Sequence, residues 1–109
     1  KLVRKSLLLD LGAVANTWRE ISLLSKLKHP NIAGLYGVSH THTFIAMHLE
    51  FGGSTTLEEQ LISSPDCALE PYEAWAIGAQ ISSALEHCHT LGVAHRDVRP
   101  ANIAMPRKE

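Results

Sequence analysis

The sequence predicts an α+β fold, in which a strand-rich first half precedes a largely helical second half. Apolar residues alternate over residues 43–51 in the manner of a half-buried strand. They recur at helical spacing over residues 13–28 and 71–89. Gly52-Gly53 is the one natural boundary between the two halves. We therefore expect strands and one helix before this boundary and mainly helices after it.

Composition narrows the class of protein and its compartment. The chain has 109 residues, 45% of them hydrophobic, and a net charge of −1, which is ordinary for a globular domain. That charge offers no basic surface, so nucleic acid is not an expected partner. Cys67 and Cys88 form no C-x-x-C motif and predict a reducing compartment, the cytosol or nucleus. No apolar stretch approaches the roughly 20 residues that span a bilayer.

The first half begins with residues 1–9, which are predicted to be the end of a strand. An amphipathic helix is predicted from Ala13 to Lys28, after a turn at Gly12, and His29-Pro30 ends it. Its apolar face comprises Val14, Trp18, Ile21, Leu24 and Leu27.

Two strands follow that helix, over residues 32–38 and 43–51. Both are rich in apolar residues, and a polar segment, residues 39–42, separates them. We expect them to form an antiparallel hairpin.

The second half begins with a short helix that Thr55 or Thr56 can cap, because Glu58 and Glu59 complete a capping-box pattern. A loop over residues 63–67 leads to a long helix from Pro71 to about His89, which Gly92 stops. Its predicted buried stripe comprises Ala74, Trp75, Ile77, Ile81, Ala84, Leu85 and Cys88.

The segment 95–102, His-Arg-Asp-Val-Arg-Pro-Ala-Asn, carries the strongest chemical signal. Phosphoryl transfer needs a carboxylate to deprotonate the attacking hydroxyl, an oxygen ligand for Mg²⁺ and a cation for the developing charge. Asp97, Asn102 and Arg99 supply these groups within six residues. The competing interpretation is a capping turn, since Asp and Asn both bond local backbone. The complete motif favours catalysis.

This segment resembles the catalytic loop of protein kinases, H-R-D-[LV]-[KR]-P-x-N. The earlier run R-E-I-S-L-L-S-K-L-K-H-P-N-I, residues 19–32, is similar to the αC helix of that family and the turn behind it. The resemblance implies a two-lobe fold that binds ATP, with residues 1–51 in the small lobe and residues 52–109 in the large lobe. It places the hinge near residues 49–53.

The resemblance also implies roles for individual residues. Asp97 would be the catalytic base, Arg99 would lie near the γ-phosphate, and Asn102 would bind Mg²⁺. Lys1 would pair with Glu20 and hold the α- and β-phosphates of ATP; Lys5 is the alternative lysine. The expected adenine site comprises the gatekeeper Leu49, the carbonyl of Glu50, the backbone of Gly52 and, beneath the base, Ala104.

Arg96 resembles the family's arginine that holds a phosphate on the activation loop, which implies a regulatory kinase as a partner. The Gly-rich loop would precede Lys1 and the D-F-G motif would follow Glu109, so we expect the chain to be a fragment of a kinase domain.

Two residues of the loop give conflicting indications of whether the substrate hydroxyl belongs to Ser/Thr or to Tyr. Pro100 is typical of kinases that phosphorylate Ser or Thr, whereas Arg99 is found in some tyrosine kinases. We favour a Ser/Thr kinase acting on a protein substrate. The alternatives are a tyrosine or dual-specificity kinase, a scaffolding pseudokinase, and a small-molecule phosphotransferase of kinase-like fold.

Overall fold

The computed structural model describes residues 1–106, and the chain divides into two compact units. The first unit is Lys1–Glu50 and the second starts at Phe51. The division falls inside the segment 49–53 that was predicted to be the hinge. Residues 107–109, at the end of the predicted large-lobe segment, lie outside the described residues. Both units contain helix and strand, as an α+β fold requires.

The first unit is built on a three-stranded antiparallel sheet. Its strands are β1 (Leu2–Arg4), β2 (Leu35–His40) and β3 (Phe44–Leu49), in the order β1-β3-β2. Ile45 and Met47 on the central strand are buried, because alternate side chains of a strand point to the same face. The predicted hairpin is present, and the Thr41 hydroxyl caps its turn by accepting from the amides of Thr43 and Phe44.

One helix, α1 (Leu11–Lys26), accompanies this sheet. Asp10 caps it, since the Asp10 carboxylate accepts a hydrogen bond from the Ala13 amide at 2.7 Å. The helix therefore starts two residues before the predicted Ala13, and Gly12 lies inside its first turn. It ends at Lys26, before the predicted Lys28, where the Leu27 amide bonds back to the Leu24 carbonyl.

Three further predictions for the first unit were wrong in detail. Residues 5–7 form a 3₁₀ turn, so the first strand is only three residues long. The second strand starts at Leu35 because residues 29–32 are held in a turn by the bond from the Ile32 amide to the His29 carbonyl. Trp18, expected on the buried face of α1, is exposed. The side chain buried on this helix is Thr17, which bonds the Ala13 carbonyl.

The second unit joins helices to a small two-stranded sheet. Strand β4 (Thr55–Thr56) leads directly into α2 (Leu57–Ser63), whose N-cap is Thr56, one of the two threonines that the sequence offered as the cap. A 3₁₀ turn (Pro65–Cys67) precedes the long helix α3 (Pro71–Thr90). A second 3₁₀ turn (Pro100–Asn102) precedes β5 (Ala104–Met105), which pairs antiparallel with β4.

The predicted burial of α3 holds from Ile77 onward. Cys88 is buried, and Ile77, Ile81, Ala84 and Leu85 are half-buried. Ala74 and Trp75 are exposed, Trp75 by 78% of its surface, because no described residue covers the start of the helix on that side. No helix among residues 1–106 is long and apolar enough to cross a membrane.

Candidate active site

The candidate catalytic loop, residues 95–102, is anchored at both ends within the second unit. Before the loop, Gly92 adopts a left-handed conformation (φ +71°), and the Val93 amide donates to the Cys88 carbonyl at 2.9 Å. After the loop, the Ile103 carbonyl accepts from the Leu57 amide at 2.9 Å. The loop is thereby held between the end of α3 and the start of α2.

The carboxylate of Asp97 is held by two neighbours inside this loop. Its Oδ2 accepts a hydrogen bond from Asn102 Nδ2 at 2.9 Å, and its Oδ1 lies 3.1 Å from Arg99 Nε. Asn102 Nδ2 also donates to the Asp97 backbone carbonyl at 2.9 Å. All three side chains are exposed, so the carboxylate is both oriented and open to solvent. The predicted catalytic set is therefore brought together.

The orientation of the Asn102 amide bears on the predicted magnesium site. Because its Nδ2 donates to Asp97, its Oδ1 is left as an acceptor, and no hydrogen bond to that oxygen forms among residues 1–106. Carboxylate and amide oxygens are the ligands that Mg²⁺ prefers. Asn102 Oδ1 is thus an oxygen of the kind that Mg²⁺ binds, and the magnesium site itself stays a prediction.

The predicted lysine–glutamate pair is formed within the first unit. Lys1 Nζ lies 2.7 Å from Glu20 Oε1, and the two side chains are 50% and 43% exposed. The alternative lysine, Lys5, is engaged elsewhere, with its Nζ 3.3 Å from His40 Nδ1. Of the two lysines, Lys1 has the partner that the phosphate-binding role requires; the role itself stays a prediction.

The residues predicted to surround adenine divide between the two units. Leu49, 36% exposed, ends β3, and the Glu50 amide donates to the Gly34 carbonyl while its carboxylate accepts from the Gly34 amide. In the second unit Gly52 lies against Ala104, where a Cβ added to the glycine would come within 2.8 Å of the alanine Cβ. The structure therefore brings Gly52 and Ala104 together.

Two features of the second unit were missed from sequence. A Cβ on Gly53 (φ +145°) would collide with the Met105 carbonyl, so this glycine is needed for close approach of two backbone segments. His95 Nδ1 accepts a hydrogen bond from the Asp97 amide at 3.0 Å. The second glycine of Gly52-Gly53 was a signal in the sequence for the close backbone approach. For the hydrogen bond between His95 and Asp97, the sequence offered no signal beyond the histidine itself.

Comparison with known proteins identifies the family. The model of the protein kinase domain matches residues 1–109, the whole chain. The chain is 30% identical over its full length to CBL-interacting protein kinase 28 of Oryza sativa subsp. japonica, covering 24% of that protein. It is 34% identical, over 96% of its length, to CBL-interacting serine/threonine-protein kinase 24 of Arabidopsis thaliana, covering 23% of that protein.

A yeast protein is similar over a shorter stretch. Serine/threonine-protein kinase GIN4 of Saccharomyces cerevisiae is 34% identical over 83% of the chain, and the match covers 8% of that protein. The chain belongs to the protein kinase domain family, which confirms the predicted family and α+β fold class. That family generally uses ATP and Mg²⁺. The chain spans about a quarter of the length of the CBL-interacting kinases it matches.

Proposed function

We propose that the full-length protein transfers the γ-phosphoryl group of ATP to a Ser or Thr hydroxyl of a protein substrate, with Asp97 as the general base. The observation that carries the proposal is the restrained carboxylate of Asp97, held at one oxygen by Asn102 and at the other by Arg99. A base must be oriented toward the hydroxyl it deprotonates, and two tethers within one loop provide that orientation.

Each neighbour of Asp97 has a chemical task in this proposal. Asp97 accepts the proton of the substrate hydroxyl as the new oxygen–phosphorus bond forms and the bond from the γ-phosphorus to the bridging oxygen breaks, releasing ADP. Arg99 provides a permanent positive charge for the transferring phosphoryl group, and its planar fork pairs well with phosphate. The carbonyl oxygen of Asn102 is the proposed ligand for Mg²⁺, an ion that neutralises charge on the ATP phosphates when it is bound.

Lys1 is proposed to hold the α- and β-phosphates of ATP. The Glu20 carboxylate lies 2.7 Å from its ammonium group, so the lysine is aligned by the ion pair before nucleotide binds. The backbone groups of Glu50 and Gly52, with the side chains of Leu49 and Ala104, are proposed to bind adenine.

The Ser/Thr preference is supported by Pro100 in the loop and by relatives whose names describe serine/threonine kinases. The second candidate function is a scaffolding pseudokinase. It is disfavoured because Asp97, Asn102 and the Lys1–Glu20 pair together form the set that phosphoryl transfer needs. A role in binding alone gives no chemical reason for that set.

The experiment is to incubate full-length protein with Mg-ATP and peptides that differ only at the acceptor residue. Ser and Thr peptides should be phosphorylated, while the Ala peptide is the matched control. Phosphorylation confined to the Tyr peptide would contradict the proposed acceptor class. ATP binding without transfer to any peptide would support the pseudokinase.

Two further proposals concern the regulation of the kinase activity and the subcellular location of the protein. Arg96, whose side chain is exposed, is proposed to bind a phosphate that a regulatory kinase adds to the activation loop. Activity that survives phosphatase treatment unchanged would contradict this.

The protein is proposed to reside in the cytosol or nucleus, where microscopy of the tagged full-length protein should find it; localisation in the secretory pathway would contradict this.

A further inference from the structure

We propose that the protein self-associates, with an exposed leucine segment of one copy docked in an apolar cavity of a second copy. The leucine segment is residues 7–11 of the first unit. The cavity belongs to the second unit, where residues of α2, α3 and β5 line it. This self-association goes beyond the proposed function and does not depend on it, because neither surface contains a residue proposed to bind nucleotide or to act in catalysis.

The leucine segment presents a cluster of apolar side chains to solvent. Leu7, Leu9 and Leu11 are 70%, 86% and 88% exposed, and they lie within five residues of chain. A single exposed apolar side chain is normal on a protein surface, whereas several neighbouring ones mark an interaction site. The segment is therefore a surface suited to contact with another apolar surface.

Hydrogen bonds hold the leucine segment in place before any partner binds. The Lys5 amide donates to the Thr43 carbonyl at 2.8 Å, and the Leu8 amide donates to the Lys5 carbonyl at 3.0 Å. Towards the end of the segment, Asp10 caps α1 by accepting from the Ala13 amide. A surface that is already ordered loses less conformational entropy when it binds. The leucines can therefore dock without a rearrangement of their backbone.

The cavity of the second unit has the size and the lining that leucine side chains need. Its volume is about 220 Å³. Sites that enclose a drug-sized ligand usually measure roughly 300–1,000 Å³, so this cavity suits about one or two side chains rather than a whole cofactor. Five of its seven lining residues are apolar or aromatic, namely Leu69, Tyr72, Ala76, Ile77 and Met105.

The two surfaces carry opposite charge. Residues 1–28 contain six Lys or Arg residues and two acidic ones, and Arg4 and Lys5 lie just before the leucine segment. Residues 57–86 contain six acidic residues and no Lys or Arg. Glu73 lines the cavity, and Glu70 is the N-cap of α3. Opposite charge favours the encounter of two surfaces and fixes which surfaces meet. A second copy of this chain is therefore complementary in both apolar surface and charge.

The proposed contact is heterologous, since two different surfaces meet. After one contact has formed, each copy of the pair still has one unused surface, so further copies add to give rings or open chains. Full-length wild-type protein should therefore form species larger than a dimer, in proportions that rise with concentration. Added salt should shift the equilibrium towards monomer, because it screens the charges at the exposed edge of the contact.

The test is sedimentation velocity of the full-length protein over a concentration range of about 1–200 μM. Leu9→Ser removes one leucine of the segment, and Ala76→Glu introduces a carboxylate into the cavity. Each should raise the dissociation constant by about 10-fold or more. Ala79→Glu is the matched control, because Ala79 is exposed on the same helix but does not line the cavity; it should stay within about 2-fold of wild type.

Mixing the two impaired variants gives a sharper test. The Leu9→Ser copy keeps its cavity, and the Ala76→Glu copy keeps its leucine segment, so one intact contact can form between them. The equimolar mixture should form a dimer with near wild-type affinity and grow no further, although each variant alone stays monomeric in the same range.

Three outcomes would overturn the proposal: wild-type protein that stays monomeric throughout, self-association that neither variant weakens, and a mixture no larger than its components. If thermal unfolding shows that Ala76→Glu is not folded, Tyr72→Ser takes its place, since Tyr72 also lines the cavity and is 72% exposed. Kinase activity plays no part in these measurements. Their result is therefore separate from that of the peptide phosphorylation assay, which tests the proposed function.

Discussion

Lys1 and Lys5 are lysines of the same chain end that differ in their partners, Glu20 and His40 respectively. Lys1→Ala should lower kcat/KM for ATP by about 10²-fold, because the positive charge proposed to hold the ATP phosphates is lost. Its free energy of unfolding should change by less than about 1 kcal/mol, since the ion pair is half exposed and screened by solvent.

Lys5→Ala is the control for that prediction. Steady-state kinetics and thermal unfolding of the full-length variants provide the comparison. A Lys5→Ala variant that lost as much activity as Lys1→Ala would contradict the assignment of Lys1.

Asn102 has two tasks in this account, because its Nδ2 restrains Asp97 and its Oδ1 is the proposed magnesium ligand. Asn102→Ala should therefore lower kcat and also raise the Mg²⁺ concentration needed for half-maximal rate, with partial recovery at high Mg²⁺. Arg99→Lys should be milder, as the charge is kept and only the planar fork is lost.

A magnesium titration of the full-length variants checks both statements. An Asn102→Ala variant with wild-type dependence on Mg²⁺ would exclude Asn102 as a ligand.

At the residue scale, the spacing of the loop was enough to predict that Asp97, Arg99 and Asn102 would meet. A local motif spans few bonds, so its side chains have limited freedom to separate. The contact between His95 and Asp97 was not predictable in the same way, because it depends on the left-handed conformation of Arg96. An arginine in sequence gives no indication of positive φ.

At the scale of helices and strands, replacing either of two glycines of the second unit by alanine should change the free energy of unfolding in opposite directions. Gly53 ends the predicted hinge segment at φ +145°, where a Cβ would meet the Met105 carbonyl beside the β4–β5 pair. Gly53→Ala should destabilise the full-length protein by about 3 kcal/mol or more, through backbone strain and collision.

Gly78 lies within α3, and apart from its two chain neighbours and the nearby backbone of the helix no described atom lies within 4 Å of the Cβ that it would gain. Gly78→Ala should therefore stabilise the protein by about 0.5–1 kcal/mol, since alanine loses less entropy in a helix. Chemical denaturation of the pair measures both effects. Equal unfolding free energies for the two variants would contradict the described approach of Gly53 to Met105.

For helices, the first and last residues were predictable where a capping residue or a glycine lies next to the helix end. The threonine pair 55–56 and the glutamate pair 58–59 predicted a cap for α2, which the structure places at Thr56, and Gly92 predicted the end of α3. The start of α1 was placed too late because Gly12 suggested a turn, while Asp10 is the cap. Burial was less predictable, since it depends on which surfaces meet. Trp75 fits the helical period of α3 but is exposed.

For the whole molecule, the balance of buried and exposed apolar surface leads to a prediction about residues 1–109 alone. Among the described residues the buried apolar side chains are Leu27, Ile45, Met47, Leu57 and Cys88. Tyr72 and Trp75, by contrast, are exposed. Produced by itself, this chain should bind an apolar fluorescent dye and show no measurable phosphoryl transfer.

Dye fluorescence and a kinase assay on the purified 109-residue chain test that statement. Transfer of phosphate to a generic protein substrate by this chain alone would contradict it.

The family and fold class were predictable at this scale from motifs at residues 19–32 and 95–102. The division of the chain into two units falls within residues 49–53, the segment in which the resemblance placed the hinge.

The most direct test of the central claim is the turnover of full-length Asp97→Asn beside wild type, with ATP affinity measured on both. Asparagine keeps the shape of the side chain but cannot accept the proton, so kcat should fall by about 10²-fold or more. ATP affinity and the unfolding midpoint should be nearly unchanged. Wild-type protein with robust activity that Asp97→Asn retains would mean that residues 95–102 form a capped turn and that the catalytic role proposed for Asp97 is wrong.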